Sequence, residues 1–193
     1  MDNVETKTIA GRAGRPAHLQ LGVLAVAVAL AAFAVVWLLL TENGDKTSLP
    51  APNSGPALVS QSQLEELAAS TDHPVYWAGP KSNVSYELTR TSDGRVFIRY
   101  LPAGVKAGDT HPDFLTVGTY SQSNGFSELK RVAKQKNSVS ITVKNGGLVV
   151  FSEKKPTNVY FAYPDGKYQV EVFSPSAESA RSLVLTGQIK PIK

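Results

Sequence analysis

Leu21 to Leu40 is a run of twenty residues with no charge and no strong polar group, and it constrains everything else in the chain. At about 1.5 Å of rise per residue it makes a helix of roughly 30 Å, the hydrocarbon thickness of a bilayer. It has no polar face, so it does not suit a helix half-buried in a globular core. Signal-peptide cores are shorter and end on small residues at a cleavage site, whereas this run ends Trp37-Leu38-Leu39-Leu40-Thr41. We therefore expect one uncleaved transmembrane helix. Lys7, Arg12 and Arg15 precede it, while Glu42 and Asp45 outnumber Lys46 just beyond. The positive-inside bias then keeps the N-terminus in the cytoplasm and sends everything after Thr41 across the plasma membrane.

The flanks of this run divide the chain. Residues 1–20 carry glycines, a proline and mixed charges without apolar periodicity, so a short disordered cytoplasmic tail is expected. Residues 41–57 hold Pro50, Pro52, Pro56, Gly44 and Gly55 with only Leu49 as a large apolar residue, the composition of a tether. Residues 58–193 are long enough for one extracytoplasmic domain that needs neither disulfide nor metal to fold. The chain has no cysteine, which excludes a disulfide scaffold and a lipidated cysteine anchor.

Turn chemistry predicts the fold of that domain. Ser92-Asp93-Gly94, Asn145-Gly146-Gly147 and Pro164-Asp165-Gly166 each separate two runs rich in β-branched and aromatic residues. Asp-Gly and Asn-Gly supply the positive φ that tight hairpins require, so three hairpins are expected. Phe114 to Tyr120 and Val75-Tyr76-Trp77 read as further strands. Three helices are predicted. The first begins at a capping box, Ser62-Gln63-Leu64-Glu65. The second runs from Gly125 to Lys136 with Phe126, Leu129, Val132 and Ala133 on one stripe. The third starts at Ser174-Pro175 and closes at Gly187. The fold class is α+β: a largely antiparallel sheet of about seven or eight strands with three helices, preceded by the transmembrane helix.

Four segments resemble those of uncharacterised single-pass membrane-anchored proteins of high-GC Gram-positive bacteria. They are Pro74-Val75-Tyr76-Trp77-Ala78-Gly79, Arg99-Tyr100-Leu101-Pro102-Ala103-Gly104-Val105, Val117-Gly118-Thr119-Tyr120 and Gln169-Val170-Glu171-Val172. The resemblance implies a cell-envelope location and transfers no functional residue.

Catalytic patterns are sparse. The domain has two histidines, His73 and His111, and lacks a nucleophile elbow, a His-Glu-x-x-His pair, a phosphate loop and a dinucleotide fingerprint. Asp109, His111 and Asp113 alternate along an extended stretch, so their side chains point the same way and are the candidates for a catalytic or cation-holding cluster. The competing reading is an exposed turn, given Gly108, Asp109 and Pro112. No cofactor or metal is expected. Of the sixteen aromatic residues all but Phe33 and Trp37 fall in residues 58–193, and Tyr160, Tyr163 and Tyr168 gather on the last hairpin as candidates for stacking on a ligand. Against this, aromatics are good strand formers and fill cores. Lys130, Arg131 and Lys134 fall on the helix arc opposite the apolar stripe and are candidates for anionic lipid or envelope polymer. A net charge of +4 is too mild for a nucleic-acid binder. The expected role is a tethered binding domain with an envelope protein or anionic polymer as partner. The rival is an envelope hydrolase or metal-dependent enzyme built on Asp109, His111 and Asp113.

Overall fold

The structure, a computed structural model, describes residues 48–193. Residues 1–47, which hold the segments expected from sequence to be a cytoplasmic tail, a transmembrane helix and the first part of a tether, lie outside the described residues. Among the described residues no helix is long and apolar enough to cross a membrane.

The chain begins with β1 (Ala57–Val59), α1 (Gln61–Ser70) and the short β2 (Tyr76–Trp77). Then come β3 (Val84–Arg90), β4 (Val96–Pro102), β5 (Thr116–Ser121) and α2 (Gly125–Val132). The second half holds β6 (Ser138–Thr142), β7 (Leu148–Ser152), β8 (Lys155–Ala162), β9 (Tyr168–Phe173), α3 (Ala177–Leu185) and β10 (Lys190–Pro191). Eight strands form one antiparallel sheet in the order β1-β3-β4-β5-β9-β8-β7-β6, and β2 pairs with β10 apart from it. The domain is therefore α+β, with three helices on a large antiparallel sheet. Two four-stranded halves meet where β5 pairs with β9, from Thr116 opposite Phe173 to Ser121 opposite Tyr168.

Strand alternation sorts the side chains onto two faces. One face carries Leu88, Ile98, Val117, Val170, Val172 and Val159, all wholly buried. Leu64 and Leu67 of α1 and Ala180 and Leu183 of α3 join the same cluster. Burying each large apolar side chain there contributes about 1.5–3 kcal/mol. Segment 75–81 is laid on this face by polar contacts. Tyr76 donates its N–H to Thr119 Oγ1 at 3.0 Å, and Ala78 donates to Tyr100 Oη at 2.7 Å. The opposite face is covered at one corner by α2, where Leu129 packs with Val150 and Ala162.

Several expectations are refined by this geometry. All three turns join hairpins, and Gly94 and Gly146 have φ of +80° and +73°. Gly166 is not among the residues with positive φ; it is confined by the Tyr168 ring, 3.2 Å from where a Cβ would sit. A fourth hairpin joins β7 to β8 through Glu153 and Lys154, and no Gly or Asn marks it. The α1 N-cap is Ser60, whose hydroxyl accepts from the Gln63 N–H while Gln63 returns a bond to Ser60 N–H; it is not Ser62. The α3 N-cap is Ser176, because Ser174 N–H still extends the β8–β9 pairing by donating to Thr157 O at 3.1 Å. The α2 helix ends at Val132, short of Lys136. The chain from Pro50 to Ala57, read from sequence as the end of the tether, lies on the domain: Asn53 N–H donates to Arg90 O at 2.9 Å and Asn53 Oδ1 accepts from Ser92 N–H.

Candidate functional site

The face that α2 covers in part carries two buried carboxylates, and each of their oxygens accepts a hydrogen bond. Glu87 on β3 is 1% exposed, a depth at which an unpaired charge is prohibitively unfavourable. It stands opposite Arg99 on β4. Arg99 Nη1 donates to Glu87 Oε1 at 2.8 Å, and the Gly108 N–H donates to Oε2 at 2.6 Å. The same guanidinium donates to Asp109 O at 2.9 Å and to His111 O at 3.0 Å, with its centre 5.0 Å from the Phe114 ring centroid. One ion pair thus folds the connection between β4 and β5 back over the sheet.

The second carboxylate, Glu171 on β9, is 8% exposed. Tyr160 donates to its Oε1 at 2.8 Å, Asn158 Nδ2 donates to the same oxygen at 2.6 Å, and Tyr120 donates to Oε2. Burial, then the charge of Glu171, push the Tyr120 and Tyr160 hydroxyls far above their ordinary range, so both remain protonated donors. Gly118, opposite Glu171, leaves room for the edge-to-face pair of Phe97 and Tyr120, whose centroids are 5.6 Å apart. A Cβ at Gly118 would lie 3.1–3.2 Å from both rings.

The residues singled out by sequence are distributed as follows. Asp109 Oδ1 accepts from the His111 backbone N–H at 2.8 Å and lies 2.7 Å from its ring Nδ1, bonds that hold the Asp109 carboxyl below the usual range. The His111 side chain is 74% exposed and Asp113 is exposed too, so the three sit on an outward loop. Among the described residues no group of three His, Asp or Glu is placed to hold a metal ion. Lys130 and Arg131 lie on α2, whereas Lys134, expected on the same helix arc, falls in the turn after the helix ends at Val132; all three are exposed, with Arg131 paired to Glu128 and Lys130 Nζ 5.7 Å from the Phe126 centroid. The tyrosines of the last hairpin are used internally: Tyr160 on Glu171, Tyr163 edge-on to Phe161, and Tyr168 with its hydroxyl 2.9 Å from that of Tyr76. Lys81, Ser174, Glu178, Ser182 and Gln188 line a shallow, open depression of about 410 Å³ beside α3.

Glu87, Arg99 and Glu171 were missed because a charge between apolar neighbours, as in Tyr86-Glu87-Leu88, reads as the solvent side of a strand. A signal was present. Glu87 and Arg99 are equidistant from Asp93 at the hairpin tip, so the turn itself pairs them. No family model, curated protein or solved structure matches this chain.

Proposed function

We propose that the domain is a recognition module of the cell envelope, held outside the plasma membrane by the Leu21–Leu40 helix, and that it binds a protein or an anionic envelope component. The observation carrying this reading is the state of its polar groups. Each buried carboxylate is consumed by structural donors: Glu87 by Arg99 and Gly108, Glu171 by two tyrosines and Asn158. Every oxygen of the two carboxylates already accepts at least one hydrogen bond from a structural donor, so neither stands as the bare, cavity-facing base that acid–base chemistry favours. The exposed Asp109–His111 contact closes a local turn, with the carboxylate capping the backbone N–H two residues on. The membrane placement rests on the length and charge flanks of the apolar run, and the envelope on the resemblance to anchored proteins of Gram-positive bacteria.

The test has two parts. A reporter active only outside the cytoplasm, fused after Lys193, is expected to work, and activity of a cytoplasm-only reporter there would overturn the topology. Crosslinking in intact cells is expected to capture a specific envelope component through surface positions of residues 58–193. Turnover of an envelope substrate that is lost on replacing Asp109 and His111 would overturn the binding reading in favour of hydrolysis.

A further inference from the structure

The large sheet has two edges, and they are not alike. At one end β1 is three residues long and preceded directly by Pro56, a combination that blunts an edge against added strands. At the other end β6, Ser138-Val139-Ser140-Ile141-Thr142, is five residues without a proline or a charge.

Its hydrogen-bonding direction follows from its register. Val143 N–H donates to Gly147 O at 2.7 Å and Glu153 N–H donates to Asn137 O at 2.9 Å, so the odd-numbered residues face β7. In an antiparallel pair the bonded positions alternate, which turns the backbone groups of Ser138, Ser140 and Thr142 outward. Ser138 N–H is taken by Gln135 O at 3.1 Å. The edge therefore offers two donors, at Ser140 and Thr142, and three carbonyl acceptors. Ile141 lies against the main core on one face, while Ser140 and Thr142 are exposed on the other.

The charges around this edge are predominantly positive. Lys134 and Lys136 precede the strand, Lys144 follows it, and the β7–β8 turn beside Ser138 contributes Lys154 and Lys155 against Glu153. Among the described residues none of these five lysines forms an ion pair. A second copy is a poor occupant. Antiparallel self-pairing along the whole strand centres on Ser140 and brings Lys136 of each copy toward Lys144 of the other, and like charges across strands destabilise the pair.

We infer that β6 is a docking edge for an extended polypeptide segment with alternating apolar residues and acidic flanks, which adds to the sheet as a further strand. Main-chain bonds to Ser140 and Thr142 supply affinity, and the lysine fringe selects the acidic flanks. This rests on the reading of the domain as a recognition module and names its surface and partner class.

The probe is a pair of fluorescent peptides sharing an alternating Val-Thr core, one flanked by Glu and the other by Lys, titrated against the full chain in detergent micelles. The Glu-flanked peptide is expected to bind at least about tenfold more tightly, with affinity falling as salt rises. Ser140→Pro removes an outward N–H without touching the ladder to β7, a position where an edge strand accepts proline. It is expected to weaken binding by about tenfold or more, the equivalent of one net hydrogen bond. Should that variant lose its cooperative melt, K136E/K144E decides: reversal of the peptide preference supports the edge, and an unchanged preference overturns it. Equal binding of both peptides, binding of neither, or a concentration-dependent dimer that Ser140→Pro abolishes would each overturn the proposal. In cells, a partner captured equally by wild type and Ser140→Pro would overturn the edge while leaving the recognition reading intact. Binding of the acidic peptide with no partner captured by either would support the edge and count against the recognition reading.

Discussion

Glu87 and Arg99 are where a single residue has the widest reach, since their pairing holds down a connection of more than a dozen residues. Replacing Glu87 by Gln leaves the guanidinium facing a neutral amide at a site 1% exposed on the glutamate side and 19% on the arginine side. Breaking a fully buried pair costs about 3–5 kcal/mol, and water reaching Arg99 reduces that to about 2–4 kcal/mol. Urea unfolding of E87Q should show this loss, together with faster proteolysis between Ala103 and Leu115; an unchanged midpoint would mean that Arg99 is satisfied by the loop carbonyls alone. Asp93 at the β3–β4 tip offers a pH test. Its hydrogen bond from Arg95, then one from Thr91, depress its pKa to about 2. A depressed carboxylate contributes stability above its unfolded pKa and loses it as pH falls toward the folded value. The stability difference between wild type and D93N should therefore be steady near neutrality and shrink from about pH 4 to pH 2. A difference that grows with acid would reverse the assignment.

At the scale of elements, local signals were read well where one residue decides and less well where two compete. Gly94 is at φ +80°, so a β-branched residue there is strained by about 1–3 kcal/mol, and Gly94→Val should lower the melting temperature. Gly166→Val should also destabilise, through collision with the Tyr168 ring rather than through φ. For α1 both Ser60 and Ser62 have a Glu or Gln three residues on. The strand β1 runs straight into Ser60, whose extended φ of −80° and ψ of 166° make it the cap. Ser60→Ala should cost about 1 kcal/mol, while Ser62→Ala, inside the helix and exposed, should be close to neutral, measured by denaturant unfolding. The β7–β8 hairpin was invisible because Ser152-Glu153-Lys154 has no turn residue of strong preference. The pairing register shifts at Phe151/Ser152.

For the whole molecule, the distribution of charge is the property open to test. Reversing Lys130, Arg131 and Lys134 to Glu removes one exposed ion pair and one contact over Phe126, each worth no more than about 1 kcal/mol. Folding should stay nearly intact, since Leu129 on the opposite side of the helix is the buried one. If the α2 face meets anionic lipid or wall polymer, sedimentation of the full chain with such material should fall in the variant and with rising salt. Equal sedimentation of both proteins would remove this face from consideration.

What the sequence determined by itself was everything governed by near neighbours. The membrane-length run, the three glycine-marked hairpins and the apolar stripe of α2 all follow from residues a few positions apart, whose sterics and periodicity act before any tertiary contact forms. The antiparallel α+β class followed from these. Only the tertiary structure decided the rest. Strand order is one case, since the β5–β9 pairing joins residues some fifty positions apart. The partners of Glu87 and Glu171 are another, because a charge within an apolar strand looks solvated until the opposite strand and the returning loop are in place. The β6 edge belongs here as well: Ser138 to Thr142 is an ordinary strand in sequence, and it is an edge because, among the described residues, the sheet order ends with it.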